Sequence, residues 1–244
     1  MGITKNQFKI ITRLSQKKYR EKEGLFIAEG VKVVEELLNS SLEPYAIFAT
    51  DSSNLSISND KITPISEVEL QKISNLKSPN KVLGLFKIPD EKPLQNNGLI
   101  VALDAINDPG NLGTIIRLCD WFGVTQLICG QGTVDCFNPK VVQASMGSLT
   151  RVSIKYLELT SFLEANKLPT FIADMDGANV YKATLPKEAI LVMGNEANGV
   201  SDTVKKLVDE KISIPRFGDI QETESLNVAT ATAVLLSEFK RSWQ

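Results

Sequence analysis

The chain has 244 residues, of which 43% are hydrophobic and 23% charged, and its formal net charge is -2. This balance is typical of a globular protein and excludes a strongly charged disordered chain. The sequence contains no histidine, which excludes a histidine base and the usual histidine-ligated zinc and iron sites. Its three cysteines include no C-x-x-C pair, so neither a disulfide framework nor a zinc site is indicated, and no metal is expected.

The sequence gives no indication of membrane association. No apolar run approaches the roughly 20 residues that a membrane-spanning helix requires, and the N-terminal sequence MGITKNQFK lacks the apolar core of a signal peptide. Asn6 also stands where a myristoylation motif starting at Gly2 has serine or threonine. We therefore expect a cytoplasmic protein with no membrane partner.

Basic residues are concentrated in the first 32 positions. Eight lysines and arginines there stand against three glutamates, which gives this segment a net charge of +5. A basic arm on an otherwise acidic chain predicts a polyanionic partner. A solvated helix face accounts for the charges equally well, so both interpretations stay open.

Alternating helix and strand patterns predict a first, smaller α/β domain over residues 1–88. Residues 89–98 concentrate proline, asparagine and charge without periodicity, which is typical of a linker. The elements predicted in the first domain are a helix at 5–22, a strand at 25–28, a helix after Gly30, a strand at 45–49, a helix from Ser66 and a strand at 82–87.

A second domain is predicted over residues 99–244. Its strands read as continuous apolar runs that alternate with helical patterns, which predicts a mostly parallel sheet covered on both faces. The predicted strands are 99–103, 126–129, 151–156, 170–173, 189–193 and 211–214, and the predicted helices are 112–122, 139–148, 159–166 and 200–208.

The C-terminal segment 214–241 combines a polar loop with a long alanine-rich helix. Ser225 is the expected N-cap, because the apolar residues that follow it recur at helical spacing. The first turn of such a helix has unpaired N–H groups that hold a polar ligand without a charged side chain. An ordinary terminal helix packed on a core is the alternative.

Three polar, glycine-containing loops follow predicted strands in the second domain, at 107–113, 194–199 and 214–227. Ligands of open α/β sheets bind beyond the carboxyl ends of the strands, so one site made by these loops is expected. A dinucleotide or nucleoside triphosphate site fits poorly, because neither G-x-G-x-x-G nor a P-loop is present.

The same loops carry a resemblance to a known family. The segments NDPGNLGTIIR (107–117), MGNEANG (193–199) and IP (214–215) with SLNV (225–228) resemble three ordered motifs of the SpoU (TrmH-like) RNA 2′-O-ribose methyltransferases. In the first domain, FIAEGVKVVE (26–35) and SPNKVL (78–83) resemble the L30e-like substrate-binding domain of that family. The resemblance covers nearly the whole chain.

The resemblance implies a SPOUT-type α/β domain with a trefoil knot, which binds S-adenosyl-L-methionine and works as a homodimer. By position in the motifs, Gly194, Ile214 and Leu226 are expected to bind the cofactor. Arg117 is expected to be the catalytic arginine, and the other polar residues implied at the site are Asn111, Glu196, Ser225 and Asn227.

The implied reaction is methyl transfer to a ribose 2′-hydroxyl of structured RNA, with ribosomal RNA as the expected substrate. A tRNA methyltransferase, or an inactive RNA-binding paralogue that assists ribosome assembly, is the alternative. The chemistry suits a chain without histidine, because a sulfonium methyl group is already activated and mainly needs alignment.

The motifs indicate which residues form the site, but several of these residues suit more than one role. A guanidinium stays protonated in proteins, so Arg117 suits a phosphate clamp that also stabilises a developing alkoxide better than it suits a base. A plain surface arginine is the alternative at that position. The Glu196 carboxylate, like Asn111 and Asn227, would serve equally well to hold loop shape.

The first domain is expected to recognise RNA shape and splayed bases. Residues 218–225 are longer and more acidic than the family connection, so we also expect a modified, mobile cavity rim near Glu222 and Glu224. The residues expected to contact RNA are Lys5, Lys9, Arg13, Lys17 and Lys18 in the first helix, and Lys77 and Lys81 in the later loop.

Overall fold

A computed structural model describes residues 2–51, 55–218, 225–241 and 243. The chain forms two compact units, one made of residues 1–91 and 135–150 and the other of residues 92–134 and 151–244. Segment 135–150, which the sequence analysis places within the second domain, therefore groups with the first unit.

Most predicted elements are present close to their predicted positions. The helices of the described residues are α1 (Lys5–Arg13), α2 (Lys17–Glu23), α3 (Val31–Leu38), α4 (Glu67–Ile73), α5 (Pro109–Trp121), α6 (Pro139–Ser145), α7 (Leu159–Ala165), α8 (Asp202–Lys205) and α9 (Val228–Arg241). The strands are β1 (Leu25–Glu29), β2 (Pro44–Ala49), β3 (Ile62–Pro64), β4 (Val82–Lys87), β5 (Leu99–Asp104), β6 (Gln126–Cys129), β7 (Ser153–Tyr156), β8 (Thr170–Asn179), β9 (Ala189–Gly194) and β10 (Glu210–Ser213).

The first unit is built on a four-stranded sheet in the order β1-β4-β2-β3. Its β1–β4 and β2–β4 pairs are antiparallel and its β2–β3 pair is parallel. Strand β1 is buried along its whole length because α2, α3 and α6 all pack against it. Helix α4 begins as predicted, with Ser66 and Glu69 forming a reciprocal capping box.

The predicted helix over 5–22 is wrong, because the chain forms two helices with a break between them. Leu14 ends α1 and is fully buried. The Arg20 guanidinium donates hydrogen bonds to the carbonyl oxygens of Leu14 (2.8 Å) and Ser15 (3.0 Å), and it forms an ion pair with Asp135. Arg20 is only 2% exposed, so it stabilises this turn and is not part of the basic surface.

The second unit contains a six-stranded sheet in the order β10-β8-β9-β5-β6-β7, and every neighbouring pair in it is parallel. Strand β6 is buried, and β5 and β9 are buried up to their last residues, as expected when helices cover both faces. The chain leaves β5 towards β6 on one side and returns with β9 on the other. This reversal creates a crevice at the carboxyl ends of β5 and β9.

Strand β8 is longer than predicted and contains a large bulge. Lys211 of β10 pairs with Ile172, but the next residue, Ile212, pairs with Ala178, so residues 173–177 project from the ladder. Gly177 is required here, because a Cβ atom would lie 2.6 Å from the backbone of Ile212.

Among the described residues, no helix is both long and apolar enough to cross a membrane. In the same part of the chain, no group of three or more cysteine, aspartate or glutamate side chains is arranged to hold a metal ion. The trefoil knot implied by the resemblance stays a prediction.

Candidate active site

Helix α5 begins at Pro109, earlier than the predicted start at residue 112. The Asp108 side chain caps it by accepting a 2.8 Å hydrogen bond from the backbone N–H of Asn111, and proline suits the first helical position. Asn111 therefore lies in the first turn of a helix instead of in a preceding loop. The helix backbone therefore fixes the position from which the Asn111 side chain extends.

Helix α9 begins at Val228, and the predicted N-cap at Ser225 is wrong. The Oδ1 atom of Asn227 accepts hydrogen bonds from the backbone N–H groups of Ala229 (3.0 Å) and Thr230 (3.2 Å), so Asn227 caps the helix. Ser225 is exposed and precedes the helix. The N-cap lies two residues later than predicted, because the Asn227 oxygen accepts from the first free backbone N–H groups of the helix.

Three predicted site residues form a chain of hydrogen bonds. The Nδ2 of Asn227 donates to the Oδ1 of Asn111 (2.9 Å), and the Nδ2 of Asn111 donates to the Oε1 of Glu196 (2.5 Å). We call this chain the amide relay. Its direction is set by α9, because the helix N–H groups occupy the Asn227 oxygen and leave only its nitrogen for Asn111. The Oε1 atom of Glu196 is therefore the acceptor at the end of the relay.

The loop that carries Glu196 is held by Asn195, a residue that the sequence analysis did not single out. Its Oδ1 accepts from the N–H of Ala197 (2.9 Å), and its Nδ2 donates to the carbonyl oxygen of Ala105 (2.7 Å). Gly194 permits a close crossing of the chain, since a Cβ atom there would lie 2.3 Å from the carbonyl carbon of Gly199. The only sequence signal for Asn195 is its place in the MGNEANG segment.

A cavity of about 650 Å³ lies at this edge of the second unit. Its walls come from the β8 bulge, the 194–199 loop, the segment 212–216 and the start of α9. This volume suits a small-molecule ligand, for which pockets measure roughly 300–1,000 Å³. The predicted site residues that line it are Gly194, Ile214, Leu226, Glu196 and Ser225.

Arg117 does not line this cavity. It lies on the exposed face of α5, together with Thr114 and with Trp121, which is 84% exposed. Among the described residues its side chain has no hydrogen-bond or ion-pair partner. A single chain thus brings Glu196, the last residue of the amide relay, to the cavity wall and leaves Asn111, Asn227 and the predicted catalytic arginine outside that wall.

Asp174, at the bulge of β8, supplies a second carboxylate to the cavity wall. Burial raises its pKa, but the N–H of Asp176 and the charges of Lys205 and Lys211 lower the pKa further, so the net result lies below the ordinary value. The two lysine nitrogens lie 3.5 and 3.6 Å from its Oδ2. Sequence reasoning missed Asp174 because no local pattern predicts the bulge.

The seven basic residues expected to contact RNA are all exposed on the first unit. Tyr19 organises part of this surface, because the Arg13 guanidinium and the Lys18 ammonium each lie over its ring, at 5.2 and 4.9 Å from the centroid. Lys81 forms a 3.3 Å ion pair with Asp51. The expected acidic rim at Glu222 and Glu224 lies outside the described residues.

Fold and site together define an α/β protein with a ligand-sized cavity at the carboxyl edge of a parallel sheet and an oriented Glu196 side chain at that edge. Residues 98–237 match the model of the SpoU rRNA Methylase family, and residues 5–84 match the MRM3-like substrate binding domain. The chain belongs to the SpoU rRNA methylase family.

Individual relatives agree with this family. The 23S rRNA (guanosine(2553)-2'-O)-methyltransferase RlmP of Bacillus subtilis (strain 168) is 31% identical over 233 residues, which is 92% of each chain. A solved TrmH-family structure from Porphyromonas gingivalis is 36% identical, with a TM-score of 0.89 over 99% of both chains. An AdoMet-bound rRNA methyltransferase from Sinorhizobium meliloti is 28% identical, with a TM-score of 0.85 over 100% of this chain and 97% of the other.

Proposed function

We propose that this protein transfers a methyl group from S-adenosyl-L-methionine to a ribose 2′-hydroxyl of ribosomal RNA. The observation that carries the proposal is the amide relay, which brings an oriented carboxylate to the wall of a cofactor-sized cavity. The relatives named above support the reaction class and the substrate class.

The cavity fits this cofactor. Its volume is adequate, and its walls offer backbone groups at Gly194 and Ile214 together with the apolar side chain of Leu226. When bound, the cofactor supplies a sulfonium methyl group whose C–S bond breaks as the new C–O bond forms, leaving S-adenosylhomocysteine and releasing the hydroxyl proton. The protein's main task is then to align the ribose.

The amide relay suits that task. One oxygen of Glu196 accepts from Asn111, and the carboxylate keeps lone pairs for a second donor, which we assign to the ribose hydroxyl. Ser225 lies on the same cavity wall and offers a hydroxyl to the RNA. Arg117 takes the role of a phosphate clamp, which its planar fork suits.

We further propose a homodimer, supported by the exposed Trp121 and Arg117 on one face of α5. The first unit is proposed to bind RNA through its exposed basic residues, in line with the MRM3-like match. The proposed location is the cytoplasm, and the second unit is proposed to carry the knot.

Incubation of the purified protein with methyl-labelled cofactor and RNA from methyl-deficient cells tests the proposal. The expected result is label in alkali-resistant dinucleotides derived from ribosomal RNA, because a 2′-O-methyl group blocks alkaline cleavage of the following phosphodiester. Label confined to the tRNA fraction would contradict the substrate assignment. Absence of label, with S-adenosylhomocysteine binding intact, would indicate a binding protein instead of an enzyme.

A further inference from the structure

The β8 bulge is an ordered feature of the cavity wall. The Oδ1 of Asp174 accepts a 3.2 Å hydrogen bond from the N–H of Asp176, and the hydroxyl of Ser213 donates a 2.8 Å bond to the carbonyl oxygen of Gly177. Gly177 closes the bulge where any side chain would collide with Ile212. The bulge thus fixes Asp174 in one place.

Asp174 and Glu196 are the two carboxylates among the described cavity-lining residues. Glu196 is bound to Asn111, which follows β5, whereas Asp174 belongs to β8, and β9 lies between these strands in the sheet. Asp174 therefore reaches the cavity from a different strand than the residues of the amide relay do. The proposed reaction leaves its side chain without a role.

The charges around Asp174 select the kind of group it binds. Lys205 and Lys211 already compensate the carboxylate, and Lys205 itself lines the cavity. A ligand ammonium would compete with these lysines and be repelled by them, whereas uncharged hydroxyl groups meet no repulsion. The carboxylate has about four lone-pair sites, of which the N–H of Asp176 takes one, and the two lysine nitrogens lie beyond ordinary hydrogen-bond distance at 3.5 and 3.6 Å. Sites therefore remain for the hydrogens of ligand hydroxyl groups.

We propose that Asp174 recognises the ribose diol of the cofactor's adenosine half by accepting hydrogen bonds from its hydroxyl groups. A carboxylate performs the same task in dinucleotide-binding folds, on an unrelated motif. The assignment rests on the proposed function in that it takes S-adenosyl-L-methionine as the occupant of the cavity.

Calorimetric titration of the full chain tests this with two ligands, S-adenosylhomocysteine and 5′-methylthioadenosine, which lacks the amino-acid half. Asp174→Asn should weaken both by the same factor, on the order of 10-fold or more, as expected for lost hydrogen bonds to a charged group. Asp176→Asn is the matched control, because it keeps the backbone N–H and its side chain is exposed, and it should bind both ligands like the wild type.

A loss for S-adenosylhomocysteine alone would overturn the proposal in favour of an ammonium contact, and equal affinity of Asp174→Asn and wild type would also overturn it. A measurement on the wild type covers the case in which the variant does not fold. There, the 2′,3′-dideoxy form of 5′-methylthioadenosine should bind at least 10-fold more weakly than the parent. Equal binding of the two would refute the diol contact, whereas a wild type that binds no S-adenosylhomocysteine would refute the cofactor assignment itself.

Discussion

The side-chain nitrogen of Asn227 donates a 2.9 Å hydrogen bond to the side-chain oxygen of Asn111, across 116 positions of sequence. The helix N–H groups that hold the Asn227 oxygen fix this direction, and through Asn111 they fix Glu196 as an acceptor. The start of α9 thus sets the direction of the hydrogen bonds that reach a side chain on another loop.

Replacing Asn227 by aspartate should separate capping from donation. Aspartate caps a helix as well as asparagine does, so we expect the free energy of unfolding to change by less than about 0.5 kcal/mol. It cannot donate to Asn111, so the amide relay breaks and methyl transfer should fall by about 10-fold or more. Initial rates and urea unfolding measure the two effects. A variant with unchanged rates would show that the relay has no part in the reaction.

Gly194→Ala should damage the cavity through the backbone. The added Cβ would lie 2.3 Å from the Gly199 carbonyl carbon, so the loop must shift, at a cost of about 1–3 kcal/mol in stability. S-Adenosylhomocysteine affinity, measured by calorimetry, should fall as well. Asn198→Ala, an exposed change in the same loop, should leave both quantities near the wild-type values.

Arg117→Ala should nearly abolish methyl transfer and keep cofactor binding, because Arg117 lies outside the cavity wall. Arg117→Lys is the matched variant, since it keeps the charge and loses the planar fork. It should restore little activity if the arginine clamps a phosphate with two bonds. Equal loss of transfer and cofactor affinity in Arg117→Ala would instead indicate a structural role.

Truncation of two basic residues of α2, Lys17 and Arg20, should have different effects on RNA binding and on stability. Lys17→Ala should weaken RNA binding and reduce its salt dependence without loss of stability, because Lys17 is exposed. Arg20→Ala should destabilise the first unit by about 3–5 kcal/mol, because it leaves Asp135 without its buried partner. Filter binding at several salt concentrations and thermal unfolding distinguish the two. Similar behaviour of both variants would contradict the buried position of Arg20.

Asp174 should make stability depend on pH. Its pKa lies below the ordinary 3.8 in the folded protein, so the unfolded chain takes up the proton first as pH falls. The carboxylate therefore stabilises the fold above pH 3.8, and this contribution is lost as pH falls through the folded-state pKa. Urea unfolding should show a difference between wild type and Asp174→Asn at pH 7 that shrinks towards pH 3. A difference in unfolding free energy that stays constant with pH would refute the lowered pKa of Asp174.

Local patterns predicted the elements that depend on local physics. The continuous apolar runs of β4, β6 and β9 and the helix start at Ser66 lie within one or two residues of their predicted positions. The end of α1 and the starts of α5 and α9 differ from their predicted positions, because each is fixed by a particular side-chain contact. Arg20 reaches back to the carbonyl of Leu14, Asp108 caps α5, and Asn227 takes the cap position expected at Ser225.

The sequence by itself determined the class of fold, the family and the three segments that supply the site, because strand burial and motif order are properties of neighbouring residues. Only the tertiary structure decided which side chains meet. The parallel strand order brought three site residues, Asn111, Glu196 and Asn227, into one directed relay. It left Arg117 on the exposed face of α5. The bulge of β8 places Asp174 in the cavity wall. These arrangements depend on contacts between residues far apart in the chain, and no local pattern encodes them.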